Sequence, residues 1–137
     1  MKIDIFSAHR TLRAFERAWI DEYVPRCRPY ADLRLCRVKE EWKDVKKLVG
    51  PGSYKILLDP LGKSMDTVTF AKLFDRSSSL AFLVGGSHGF PPHVPRECDV
   101  TVSLTPLTLP HRLALLVLSE QIYRVLSWRA GSPYHHA

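Results

Sequence analysis

No stretch of this chain approaches the roughly 18 uninterrupted apolar residues that a membrane span needs, so a transmembrane reading fails at the outset. An apolar leader is also lacking. The N-terminus begins directly as the strand-like Lys2-Ile-Asp-Ile-Phe6, and a cytoplasmic protein with no membrane partner is the expectation. Cysteine is scarce: Cys27, Cys36 and Cys98 are odd in number, widely spaced and without a CxxC pair. That argues against zinc and disulfides and for three reduced structural thiols. Acidic excess is missing as well, since 20 Lys and Arg face 14 Asp and Glu, a net charge of +6. Such a balance in a small domain points to a polyanionic partner, RNA ahead of membrane, although a merely solvated basic surface fits the composition equally well. At 137 residues and 45% hydrophobic content, the chain fits one compact domain over residues 1–137 and is too short for two.

What the chain does contain is an alternation of strand and helix signals. Ile3 to Ser7 reads as a strand. Thr11 stands where a helix cap belongs, and Leu12, Phe15, Trp19, Ile20 and Tyr23 follow at helical spacing until Pro25 or Arg28-Pro29. Leu33 to Val38 alternates like a half-buried strand, Glu40 to Val49 reads as a short charged helix, and Gly50-Pro-Gly52 stops it. Tyr54 to Asp59 is a buried strand leading into a turn at Pro60-Leu-Gly-Lys63. A helix spans Asp66 to Phe74 with Asp66 as its cap. Leu80 to Val84 is the most apolar strand, suited to a central parallel position. A short helix near Pro91–Glu97, a last strand near Asp99–Leu104 and a long helix from His111 to about Arg129 complete the chain before its tail. This order predicts an α/β fold with a largely parallel sheet.

In such sheets ligands bind beyond the carboxyl ends of the strands. Three loops fall there: Leu58-Asp59, the glycine-rich Leu83-Val-Gly-Gly-Ser-His-Gly-Phe90, and Val102-Ser-Leu-Thr-Pro-Leu-Thr-Leu-Pro-His111. Loops of this composition offer backbone N–H and C=O groups between apolar walls, the mixture that small-molecule sites use. Pro106 and Pro110 stiffen the last loop, and Gly85 and Gly86 allow close backbone approach. An ordinary strand-to-helix connection has the same features. The long helix is apolar on nearly every side in its first half, from Leu113 to Leu118, so it needs cover from the sheet and from something else, preferably a second subunit. His88 and His93 have no third ligand nearby, and no metal is assigned.

Five ordered pieces carry a resemblance: Leu58-Asp59 with Gly62-Lys63; Val84-Gly-Gly-Ser-His-Gly-Phe90; Ser103-Leu-Thr-Pro-Leu-Thr-Leu-Pro-His111; Glu120-Gln-Ile-Tyr-Arg124; and Gly131-Ser-Pro-Tyr-His135. Together they resemble the ribosomal large-subunit methyltransferase H family, of the SPOUT or α/β-knot class. The likeness is strong from residue 54 onward and faint before it. It implies a trefoil-knotted C-terminal half, a homodimer, S-adenosylmethionine as cofactor, and methyl transfer to N3 of a pseudouridine in helix 69 of 23S rRNA on the ribosome. DNA is not an implied partner. Carried over residue by residue, the cofactor contacts fall at Leu58, Gly85, Leu104, Thr105, Pro106, Leu107, Thr108 and Leu109. The tail, expected to reach the partner's active site, puts His135 forward as catalytic with Tyr134 as an orienting group; His111 and His136 are further candidates. The sequence departs from the family in a shorter Val38–Tyr54 region without its acidic and glycine signature, and in His136 where Arg or Lys is common. Two other functions stay open: a non-catalytic RNA-binding module of this fold, and a knotted methyltransferase acting on tRNA. RNA contact would fall to the basic N-terminal half, from Arg10, Arg13 and Arg17 through Arg34 and Arg37 to Lys47.

Overall fold

The computed structural model describes residues 1–9 and 12–136. In chain order its elements are β1 (Lys2–Ser7), α1 (Ala14–Cys27), β2 (Asp32–Arg37), α2 (Val45–Val49) and β3 (Tyr54–Ser64). Then come α3 (Thr67–Lys72), β4 (Ser79–Val84), α4 (His93–Arg96), β5 (Val100–Ser103) and α5 (His111–Arg129). The five strands form one parallel sheet in the order β2-β1-β4-β3-β5. β4 takes the central place that its apolar run predicts, with every residue from Leu80 to Val84 buried.

Period-2 alternation sorts the strand side chains onto two faces. Ile3, Ile5, Ile56, Leu58, Leu80 and Phe82 pack with α1, α3 and α5, and Phe6, Leu57, Ala81 and Leu83 pack with Trp42, Val45 and Val94. On α5 the buried positions Leu115, Leu118, Ser119, Ile122, Val125 and Leu126 recur at three- and four-residue spacing. The helix is thus less uniformly covered than its composition suggests: Leu116 and Val117 are half-buried, and Leu113 is exposed. On α1, Phe15 and Trp19 remain 60% and 51% exposed, an apolar face that nothing in one chain covers among the described residues.

Three local readings need correction. The charged helix expected from Glu40 is only Val45–Val49, because Trp42 adopts φ 47° and the Asp44 carboxylate caps Lys47 N–H at 3.0 Å, starting the helix there. The first helix starts at Ala14; the Glu16 carboxylate accepts from Arg13 N–H at 2.9 Å, while Thr11 lies outside the described residues. Pro25 sits within its last turn, and the helix ends before Arg28-Pro29. The largest difference is at Pro60–Lys63, which is not a simple turn. β3 continues to Ser64, and both Leu58 and Lys63 pair with Val102 of β5. A strand residue has two edges, so residues 59–62 arch across β5 between those pairings. Gly62 fits the arch because a methyl group there would lie 2.8 Å from the Thr101 backbone.

Candidate functional site

The middle of β3 around Leu58 and Asp59 and the loops after β4 and β5 enclose a cavity of about 500 Å³, within the range of small-ligand sites. Leu58 and Asp59 form one wall, Gly85, Gly86 and Phe90 a second, and Leu104, Thr105 and Leu107 through Leu109 a third. Seven of the eight residues assigned to cofactor binding by resemblance therefore line it; Pro106 alone does not. The first turn of α5 closes the back with His111 and Ala114. Pro110 precedes that turn and supplies no side-chain cap, so the positive end of a 19-residue helix opens on the cavity. Local chemistry holds each loop. Asp59 accepts from Leu61 N–H at 2.8 Å, and Thr105 Oγ1 accepts from Leu107 N–H at 3.2 Å. Gly89 N–H donates to Gly86 C=O at 3.1 Å, in a turn where Gly89 takes φ 72°. Phe90 is propped by Trp42, ring centroids 5.0 Å apart. Phe90, Gly86 and Ala114 lay outside the assigned set. Only the glycine pair signalled its place in advance, through the backbone approach it permits.

A second hollow of about 500 Å³ adjoins at the ends of β1 and β2, lined by Ala8, His9, Arg37, Val38, Lys39, Glu40 and Glu41. Gly86 is the thin wall between the two. A methyl group on it would stand 2.5 Å from Glu40 Oε1 and 2.8 Å from the Ala8 carbonyl oxygen. His9 Nδ1 is 2.8 Å from Ser7 Oγ, and Arg37 Nε donates to the His9 carbonyl at 2.8 Å. Burial, then Arg37, His111 and Arg17, pull the His9 pKa below its ordinary value. Burial and Arg112 lower that of His111, against Glu40 and Glu16. Two histidines at the cavity end are thus held towards the neutral form. Sequence reading passed over His9 because a single histidine at a strand end carries no spacing signal.

The tail lies elsewhere. Tyr134 and His135 fold back on the far half of α5, about 20 Å along the helix from His111 at 1.5 Å per residue. Tyr134 donates its hydroxyl to Glu120 Oε1 at 3.2 Å and packs edge-on against Tyr123 at 4.7 Å. Arg124 stacks over the Tyr134 ring at 4.9 Å and approaches His135 Nδ1 at 3.2 Å, with its Nε donating to Glu120 at 2.8 Å. Burial first, then hydrogen bonding with Tyr23 and the nearby Glu120 charge, push the Tyr134 phenol up to about 12, so it serves as a donor rather than a base. His135 Nε2 is buried without a partner. The geometry therefore does not bring the two tail residues to the cavity of their own chain.

Other singled-out residues have structural partners. Arg124 pairs with Glu120 at 2.7 Å and Arg129 with Asp75 at 3.1 Å, so both guanidinium groups are held in ion pairs within the chain. Arg34 forks onto buried Asp4 at 2.9 and 3.2 Å. His93 Nε2 meets the Trp42 carbonyl at 2.8 Å. No helix among the described residues is long and apolar enough to cross a membrane.

Comparison with known proteins agrees with this geometry. Residues 1–135 match the family described as Predicted SPOUT methyltransferase. The chain is 42% identical over 137 residues, covering 98% of each protein, to a Thermus thermophilus protein named Ribosomal RNA large subunit methyltransferase H. Proteins of the same name from Sorangium cellulosum and Geobacter sulfurreducens are similar too. The first is 39% identical over 132 residues, with 88% of this chain and 89% of the other covered. The second is 32% identical over 153 residues, with 99% and 100% covered. The Thermus alignment spans nearly all of both chains, so a protein about as short as this one occurs among its relatives, whereas the Geobacter protein is longer.

Proposed function

The chain belongs to the SPOUT methyltransferase family, and on that premise we propose that it methylates large-subunit rRNA, using S-adenosylmethionine held in the cavity at the ends of β3, β4 and β5. The observation that carries this reading is the convergence of Leu58, Gly85 and Leu104–Leu109 around one cavity of ligand size. Its lining suits the group. Leu58, Val84, Leu107 and Leu109 offer apolar walls, the loop backbones offer N–H and C=O groups for an adenine edge and ribose, and no cysteine lines it to attack a sulfonium. Bound there, the cofactor supplies an electrophilic methyl group. The protein then has to place an RNA base in line with it, and positioning of that kind supplies most of the rate in a displacement.

The relatives' names speak of large-subunit rRNA; the acceptor we assign within it, N3 of a pseudouridine in helix 69 of 23S rRNA, is the one implied by the resemblance of residues 54 onward. The working unit is a homodimer in which residues 1–137 form one knotted domain. The arch of residues 59–62 over β5 and the uncovered Phe15 and Trp19 support those two features. The distance from the tail to its own cavity supports delivery of Tyr134 and His135 by the second subunit. There Tyr134 orients the base and His135 receives its proton, once the tail leaves the packing that buries His135 Nε2 in the single chain.

Calorimetry and an acceptor assay test the proposal. S-adenosylmethionine should bind with measurable heat, and the protein should methylate ribosomes from a strain lacking the endogenous activity, in preference to tRNA. No heat at high protein concentration would sink the catalytic reading, and preference for tRNA would move the substrate.

A further inference from the structure

The hollow beside the cavity is used by nothing so far. We propose that it seats the acceptor nucleotide, with Glu40 accepting a hydrogen bond from the ring N–H that pseudouridine has and uridine lacks. The inference rests on the functional reading above and adds a specificity residue to it.

Adjacency is the first argument. Ala8 and Glu40 line the hollow, Gly86 lines the cavity, and no side chain fits between them. A base seated at the rim of the hollow beside Gly86 therefore comes to the edge of the cavity with no side chain between. Chemistry is the second. Arg37 and Lys39 suit a phosphate, while His9 and Glu40 suit a base edge. Size is the third, since about 500 Å³ accommodates one nucleotide.

Glu40 is the informative member. An ionised carboxylate only accepts hydrogen bonds. The exposed His88 stands beside it, with Nδ1 3.7 Å from Glu40 Oε2, and Oε1 lies against Gly86. Pseudouridine is joined to ribose through carbon, so N1 keeps its hydrogen while N3 is the methyl acceptor. Uridine presents C–H at the equivalent edge. With N3 directed at the cavity, a carboxylate at the rim rewards N1–H and gains nothing from C–H. A site built to bond a substrate N–H discriminates strongly against an analogue without it, because its polar group is left unpaired.

The test uses the full-length protein and Glu40→Ala, which removes the acceptor, with ribosomes carrying pseudouridine or uridine at the target. Wild type should favour pseudouridine. Glu40→Ala should lose about 10- to 100-fold in kcat/KM on pseudouridine ribosomes and little on uridine ribosomes, so that discrimination collapses. Retained discrimination in the variant overturns the proposal and leaves the methyltransferase reading intact. Should wild type methylate neither ribosome, the functional reading falls, and NMR decides the hollow separately. Pseudouridine 5′-monophosphate should shift the amides of Ala8, His9 and Lys39 more than uridine 5′-monophosphate does, and equal or absent shifts overturn it.

Discussion

The two ends of α5 have opposite characters. At His111 the helix opens on a cavity made of loop backbone, glycine and apolar side chains, with its polar groups tied into local turns. Near Arg124 and Trp128 the surroundings are all side chain: Glu120, Arg124, Tyr134 and His135 interlock through hydrogen bonds and ring contacts. The first end can hold a reactive ligand without touching it chemically, and the second has groups able to donate and accept protons. A rigid helix keeps them apart within one chain. In our reading two chains must therefore meet, so that the tail of one completes the cavity of the other.

The sharpest way to break that contrast is to inactivate the ends separately. His135→Ala spoils the tail and Gly85→Val crowds the cavity, since a side chain at Gly85 begins 3.1 Å from the Phe90 ring. Each homodimer should be inactive. Mixing them after denaturation and refolding should restore roughly a quarter of wild-type turnover, the statistical share of sites pairing an intact cavity with an intact tail in a twofold dimer. A mixture as inactive as its components means that the tail acts within its own chain, or not at all.

A second experiment separates the helix from the loops at its mouth. Leu118 is fully buried, and Leu118→Ala should cost about 2–5 kcal/mol in urea unfolding, the range for leucines deleted from packed cores. Leu107 is 71% exposed on the cavity loop, and Leu107→Ala should change stability by less than about 0.5 kcal/mol. Calorimetry should nevertheless show weaker S-adenosylmethionine binding for Leu107→Ala. Equal stability losses would mean that the loop is part of the core.

Much of this contrast could be read from the sequence, and its limits are physical. α5 was legible to the residue because long apolar periodicity is a strong local signal, and β4 because an unbroken apolar run fits only a doubly covered strand. The cavity loops were legible as strand ends. The arch at residues 59–62 was not, because Pro-Leu-Gly-Lys has turn composition, and its pairing with Val102 depends on a strand some forty residues later. The short α2 was misjudged because a left-handed Trp42 has no local signature. His9, Glu40 and Gly86 converge from three separate loops, and no spacing rule connects them.

The arch yields the next prediction. Gly62→Ala places a methyl group 2.8 Å from the Thr101 carbonyl carbon and oxygen, a backbone contact that cannot rotate away. Overpacking of this kind costs about 1–3 kcal/mol, read as a lower urea midpoint. Gly50→Ala is a useful control. Nothing lies within 4 Å of a methyl group there, so its cost comes only from φ 79°. A Gly62 variant as stable as wild type would show that the arch can lift from β5 freely.

The smallest expected effect distinguishes the ends by pH. His9 and His111 both have folded pKa values below the 6.5 of the free side chain, His9 chiefly through burial. Below 6.5 the unfolded chain therefore binds more protons at these positions than the folded one, and stability must fall as pH drops. Above 6.5 both states are neutral there and the contribution is constant. Urea unfolding from pH 7.5 down to 5.5 should show a decline that shrinks in His9→Gln, whose amide can still bond Ser7 but takes up no proton. An unchanged decline would assign the acid sensitivity to groups away from the cavity, and would remove the neutral His9 imidazole from any account of the hollow.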